Sequence, residues 1–385
     1  MRNQTSPTRR WIGLAALVLS LAAAAQAQTY TFSTLYSFKN NGTDPEFSTA
    51  PVIVDSSGNL YGTAGAGRFG LGAVFKVTPA GKLSVLHSFK GAPADGDTPF
   101  TGLTRDTAGN LYGTTNAGGS HSLGTVFKLT PSGHETILHS FNSTDGNSPN
   151  GVTLDSAGNI YGTTAFGGGN SEGVAFEINT GGQFTLLHTF CSLSGCADGD
   201  EPIGNLVVDS AGNIYGTTGN IIGFGTVYKL TKTGVQTILH TFNFNDGDDP
   251  NALILDSKGI LHGAAYDGGT HSQGTLFTLP KGGGTLTTLY NFCAKSRCTD
   301  GKLIPGPIAI DKSGNTFGVG FESAGNTGSV VWEFSAAGKE SVLYTFPNST
   351  SMAGLAIDSA GNLYGTTYDG GTNGVGSVFK LTLAK

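Results

Sequence analysis

The chain has 385 residues, with 21 Lys and Arg against 27 Asp and Glu, for a net charge of −6. Glycine accounts for 61 of them, roughly twice its usual share, while only 12% of residues are charged and two are Met. Coiled coils, collagen and disordered chains are excluded: there is no Gly-X-Y period, little Glu and Lys, and 38% of residues are hydrophobic.

Arg2, Arg9 and Arg10 precede an uncharged apolar run from Trp11 to Ala25, and Ala25-Gln26-Ala27 offers small residues for signal peptidase. Residues 1–27 therefore read as a secretory signal, too short for the roughly 20 apolar residues of a membrane span. Its loss leaves 18 basic against 27 acidic side chains, or −9, over 28–385. That charge repels phosphate backbones, so no nucleic-acid partner is expected. The last residues, Ser-Val-Phe-Lys-Leu-Thr-Leu-Ala-Lys, carry no hydrophobic tail. A secreted or periplasmic monomer, without a membrane span after signal removal, is expected.

One unit then recurs seven times, marked by Asp55, Asp106, Asp155, Asp209, Asp256, Asp311 and Asp358 at a spacing of about 50 residues. In the second copy four short strands are predicted: 102–106, 110–115, 124–130 and 135–141. The turns Asp-x-x-Gly-Asn and Thr-Pro-Ser-Gly join the first to the second and the third to the fourth. Four antiparallel strands repeated around an axis predict an all-β, seven-bladed β-propeller forming one domain over 28–385. The seventh copy stops after its third strand at Thr382, whereas Tyr30–Phe38 is a fourth strand lacking the other three. The N-terminal strand is thus predicted to complete the last blade and close the ring.

The succession Leu-His-Ser-Phe, Asp-x-x-Gly-Asn-Leu-Tyr-Gly-Thr-Thr, Gly-Gly and Gly-Thr-Val-Phe-Lys-Leu-Thr, over 30–382, resembles the GloVer tandem-repeat proteins. The resemblance implies an exported bacterial protein without an established activity. Their usual C-terminal anchor has no counterpart here, so surface attachment is not expected.

Positions shared by all blades are expected to build the blade. The seven Asp side chains should cap the turn into strand two. The rings at 61, 112, 161, 215, 262, 317 and 364, and at 75, 127, 176, 228, 277, 332 and 379, should pack between blades. His87, His139, His188 and His240 occupy strand four, where other blades carry Tyr36, Tyr290 and Tyr344. They are spread around the rim and cannot converge on one ion. Cys191 and Cys196, and Cys293 and Cys298, fall in equivalent loops, and two local disulfides are expected. Arg105 stands alone among aliphatic equivalents and should reach either the central channel or the rim.

Chain reversal places the turns after strands one and three on one face and the longer, varied loops on the other. Variable loops on a rigid scaffold carry function, so the ligand-binding candidates are Arg68, His121, Tyr266, Asp267, His271, Tyr368 and Asp369, all between strands two and three. The loops before strand one are rich in Asp-Gly, with oxygen ligands of the kind calcium takes. None matches the twelve-residue calcium loop, so they are expected to be solvated turns and no cofactor is predicted. Hydrolase, zinc-protease, phosphate-loop and haem motifs are missing from the sequence. Two functions follow: a non-catalytic scaffold binding a glycan or protein through its long-loop face, or a polysaccharide- or lactone-acting hydrolase or lyase on that face. A broad, aromatic-free face would favour the scaffold, and three convergent side chains in a central pocket the enzyme.

Overall fold

The structure is a computed structural model that describes residues 28–384 apart from 49, 220–222, 252, 322–327, 347–351 and 353. The proposed signal, 1–27, lies outside the described residues. Seven antiparallel blades follow one another, the first built from Ile53–Val54, Leu60–Ala64, Ala73–Val77 and Leu83–Ser88. In blade five the first strand is split into Asp248–Pro250 and Ile254–Leu255, both pairing with Ile260–Asp267. Blade seven takes Ala356–Ile357, Leu363–Thr367 and Ser377–Leu383 from the end of the chain. Its outermost strand is Tyr30–Ser37, with Tyr30 opposite Leu383 and Ser37 opposite Ser377. Seven apolar clusters fill the junctions between neighbouring blades. One of them joins Tyr364 and Val378 of blade seven to Val52, Leu60 and Phe75 of blade one. No helix among the described residues is long and apolar enough to cross a membrane.

Two repeated residues explain why this sequence makes blades. The strand-three rings, from Phe75 to Phe379, are fully buried. Each lies across the strand-two Gly, which is the middle of Tyr-Gly-Thr in five of the blades: a Cβ on Gly162 would stand 2.5 Å from the Phe176 ring, and one on Gly365 2.5 Å from Phe379. Only a residue without Cβ lets the ring cross and reach the next blade, where burial contributes about 2–3 kcal/mol per side chain.

The leading Asp closes the turn into strand two. Asp55 Oδ1 accepts the Ser57 and Asn59 backbone N–H groups at 2.9 Å, while Oδ2 accepts from Asn59 Nδ2 at 2.9 Å and Tyr61 OH at 3.0 Å. In blade five His262 takes the place of Tyr and meets Asp256 at 3.2 Å. A ring with a polar tip six residues after the Asp is therefore part of the turn as well as of the core. Arg105 is exposed, and its guanidinium lies over the Tyr61 ring, 5.8 Å away, across the junction of blades one and two.

The outer strand carries a feature the sequence reading did not anticipate. Register between strands three and four shifts once in every blade, as between Val126 and Phe127 or Val227 and Tyr228. This bulge bends the outer strand. Cys191–Cys196 and Cys293–Cys298 are disulfide-bonded, each within its own loop.

Candidate functional site: the long-loop face

The long loops are tied down rather than free. In blades two to five the entering segment pairs with the end of strand two or the residues just after it, as Asp97 with Ala117, Asn147 with Phe166, Pro202 with Thr218 and Asp248 with Asp267. Single bridges do the same at Glu46–Ala66 and Lys302–Phe321 in blades one and six. These ties surround a channel mouth of about 240 Å³ to which every blade contributes: Pro51, Phe100, Asn150, Asn205, Asn251, Pro307 and Met352. Asn150 Nδ2 donates to the Pro202 carbonyl and Asn251 Nδ2 to that of Ile304, both at 2.6 Å, so these amides link blades across the mouth. Among the described residues no ionisable side chain lines it.

The residues chosen from the sequence are distributed around this face. His121 is exposed, with Nδ1 2.9 Å from its neighbour Ser120 Oγ. His271 is exposed beside Thr270, at 3.4 Å, and Asp267 accepts the N–H of its own Gly268 at 2.8 Å. Tyr266 is half-buried, and its carbonyl accepts the Ile304 N–H at 3.2 Å. Tyr368 leans on Phe47 with ring centroids 5.1 Å apart. Asp369 Oδ1 is buried without a hydrogen-bond partner in the structure, and burial pushes its carboxyl above the usual range. Arg68 lies over Phe69 at 5.5 Å and turns outward into a rim groove. His271 and Asp267 thus make local contacts, and neither hydrogen-bonds to the other or to Asp369.

What the sequence reading missed on this face is its aromatic content. All six exposed aromatic side chains among the described residues belong to this end of the blades, with Phe69, Phe100, Phe224, Phe244 and Tyr368 in the long loops and Phe166 closing strand two of blade three. The face is therefore not aromatic-free and that mark of a scaffold is not met; the mark of an enzyme, convergent reactive side chains in a central pocket, is not met either among the described residues. Phe100 adjoins the channel mouth, and Phe224 and Phe244 of blade four approach each other at 5.8 Å. The signal was present: each ring sits outside the repeated strand positions, several of them beside Gly or Pro, where no inter-blade packing requires it.

The Asp-Gly loops also differ from expectation. Asp95, Asp198 and Asp300 are buried. Their carboxylates turn inward because each accepts N–H groups of its own loop and meets the strand-four ring. Asp95 accepts from Lys90 N at 2.9 Å, Asp198 from Ser192 N at 2.8 Å and Asp300 from Ala294 N at 2.8 Å. The ring contacts are Tyr36 to Asp44 at 2.6 Å, His139 to Asp145 at 3.2 Å, His188 to Asp198 at 3.4 Å, His240 to Asp246 at 3.2 Å and Tyr290 to Asp300 at 2.7 Å. His and Tyr alternate at this position because either can place a polar tip on that carboxylate. The four histidines do stay apart from one another, but His87 meets two carboxylates, Asp95 and Glu135. Burial, with the negative Asp95 beside it, pushes the Glu135 carboxyl up to about 7.

Solved structures show the same fold. The chain is similar to a streptogramin B lyase at 12% identity and a TM-score of 0.66, covering 92% of this chain and 98% of that one. It is also similar to a puromycin-hydrolysing peptidase of Mycobacterium tuberculosis at 10% identity and a TM-score of 0.57, covering 92% of this chain and 55% of that one. At such identities the likeness shows architecture alone. Among curated proteins, none matches in sequence. The model of the Gloeobacter/Verrucomicrobia repeat matches residues 24–224 and 206–385, and with its blades, turns and recurring motifs the chain belongs to that repeat family.

Proposed function

We propose that the protein is an exported, non-catalytic binding module that holds a glycan across its long-loop face. The observation that carries this reading is the gathering of all six exposed aromatic side chains on that one face. Exposed rings on a rigid support offer apolar platforms, and a sugar presents a matching apolar C–H face with hydroxyls at its rim. The asparagine side chains and backbone groups of the channel mouth supply neutral hydrogen-bonding partners beside Phe100. The uncharged mouth supports binding over turnover, since general acid–base chemistry needs titratable groups within reach of the substrate. Two disulfides fit an oxidising compartment.

Affinity electrophoresis on a polysaccharide panel tests this. A retarding polysaccharide is expected, with retardation lost in the combined F100A, F166A and F224A variant and kept in a short-turn variant such as S132A. Release of new reducing ends or unsaturated products from any panel member would transfer the reading to a hydrolase or lyase. Retardation unchanged in the triple variant would remove the aromatic platform.

A further inference from the structure

Each junction between blades brings three side-chain positions together at the outer rim. They are the strand-four His or Tyr, the Asp of the loop that follows, and the residue four places before the strand-four His or Tyr of the next blade. That third position is filled by Phe184 stacked on His139 at 3.9 Å, by Phe32 stacked on Tyr344 at 4.3 Å, by Leu83 beside Tyr36, and by Gln236, which donates to the Asp198 carbonyl. Glu340 takes it beside Tyr290, where Lys295 pairs with its carboxylate. Only at the junction of blades one and two, among the described residues, does a carboxylate from the next blade meet a His–Asp pair.

We propose that His87, Asp95 and Glu135 bind one divalent transition-metal ion of the zinc class. His87 Nε2 lies 3.2 Å from Asp95 Oδ2 and 3.3 Å from Glu135 Oε2, and the candidate ligand atoms of all three residues fall within 4.8 Å of one another. Metal–ligand bonds of about 2.0–2.1 Å at tetrahedral angles set neighbouring ligand atoms roughly 3.3 Å apart, which these contacts match. Two carboxylates and a neutral imidazole balance a doubly charged ion, and the imidazole selects zinc-like metals over calcium or magnesium.

The remaining oxygen of Glu135, Oε1, is buried without a hydrogen-bond partner in the structure; Glu340 Oε1 is likewise unpartnered in blade six, but there Lys295 supplies the cation that an ion would supply here. Asp95 is held in place by the N–H groups of Lys90, at 2.9 Å, and Gly96, at 2.7 Å, the outer support that metal-binding carboxylates require. His87 and Lys90 also line the rim groove of about 1000 Å³ that gives an ion access from solvent. Three protein ligands leave a fourth position to water or to an oxygen of a solute. The three ligands lie apart from the channel mouth, although the groove that reaches them is also lined by Arg68 and Phe69.

The test titrates the full, tag-free protein with Co²⁺, following visible d–d absorption, and with Zn²⁺ by calorimetry. One Co²⁺ per chain with the intense absorption of a tetrahedral site is expected, displaced by Zn²⁺. Replacing Glu135→Leu, the residue of the same position in blades one and five, or His87→Tyr, as in blades five to seven, should lower affinity by roughly 100-fold or more. Glu135→Gln, which keeps the shape of the side chain, should do the same while circular dichroism stays unchanged. His139→Tyr should leave binding as it is. Failure of the unmodified protein to bind either ion at saturable 1:1 stoichiometry, or equal affinity in E135Q, would overturn the proposal and leave a shared proton as the content of the cluster.

Discussion

On the short-turn face one carboxylate does the same work in blade after blade: Asp55, Asp106, Asp155, Asp209 and Asp358 each collect turn N–H groups, an Asn side chain and a Tyr hydroxyl. On the opposite face the corresponding loops differ in length, in charge and in which of them presents a ring. The two faces are joined by the same strands, so the contrast separates what a blade requires from what it permits. A residue needed for closure recurs in register, because every blade meets the same neighbours; one used for contact with something outside the ring has no such constraint. Uniformity marks structure here, and irregularity marks the surface available for recognition.

The sharpest way to break that contrast acts at the strand crossing common to both faces. Gly162→Val drives a branched side chain into the Phe176 ring, which a Cβ alone would approach to 2.5 Å. Overpacking of this kind should cost at least ~3 kcal/mol, measured as a fall in the denaturant midpoint. An unchanged midpoint would mean that the ring can move aside, and the crossing would not define the blade.

A smaller loss is expected in one short turn. Asp155→Ala removes acceptors for Ala157 N, Asn159 N and Asn159 Nδ2. Equilibrium unfolding should register about 2 kcal/mol, with the aromatic face still binding at full affinity. Equal damage to binding and stability would show that the faces are not separable.

Acid should act on the same turns. Burial alone would raise these carboxyls, but hydrogen bonds outweigh it, from an Asn side chain and backbone at Asp55, Asp106, Asp155 and Asp358 and from backbone and His262 at Asp256, so all five stand below the usual Asp range. In Asp209 Lys281 adds to that lowering from 3.0 Å. A carboxyl depressed on folding contributes stability that is fully present above its unfolded value, about 4, and lost as pH falls through the folded one. Stability measured against pH should therefore be level on this account down to about pH 4 and decline below it. A decline beginning near pH 6 would point to other groups.

The smallest effect belongs to the long loops. F100A, F166A and F224A should each shift stability by no more than about 0.5 kcal/mol, because their rings are exposed. A larger shift in any of them would assign that ring to the fold.

How much of this was legible in the sequence follows the same division. The blade count, the four-strand order, the Asp turn, the core rings and the two loop disulfides are written in positions that repeat, and repetition is visible without coordinates. Glu135 was equally visible as a charge where other blades carry Leu83, Phe184 or Leu286, yet its meaning depends on His87 and Asp95, which only the junction of two blades brings within reach. The inward turn of Asp95, Asp198 and Asp300 was hidden because an Asp-Gly pair in isolation reads as a solvated loop, and the donors that draw it in belong to backbone geometry. The strand-four bulge has no residue signature, since it adds a place in the ladder without a special side chain. Of the exposed aromatics on this face only Tyr368 was among the sequence candidates; the five Phe rings stand outside the repeating period and carry no motif of their own.

The last blade gives the chain a particular order of assembly. Ala384 N donates to the Thr29 carbonyl at 2.8 Å, so the first and last described segments lie side by side on one outer strand pair. Six blades can form from neighbours in sequence, but the strand 30–37 stays without its partner until 377–383 has been made. A truncated product therefore carries an unpaired strand at one end and an open edge at the other. The adjacency of Thr29 and Ala384 makes this seam a natural point at which to link the two segments and reopen the ring in a different loop.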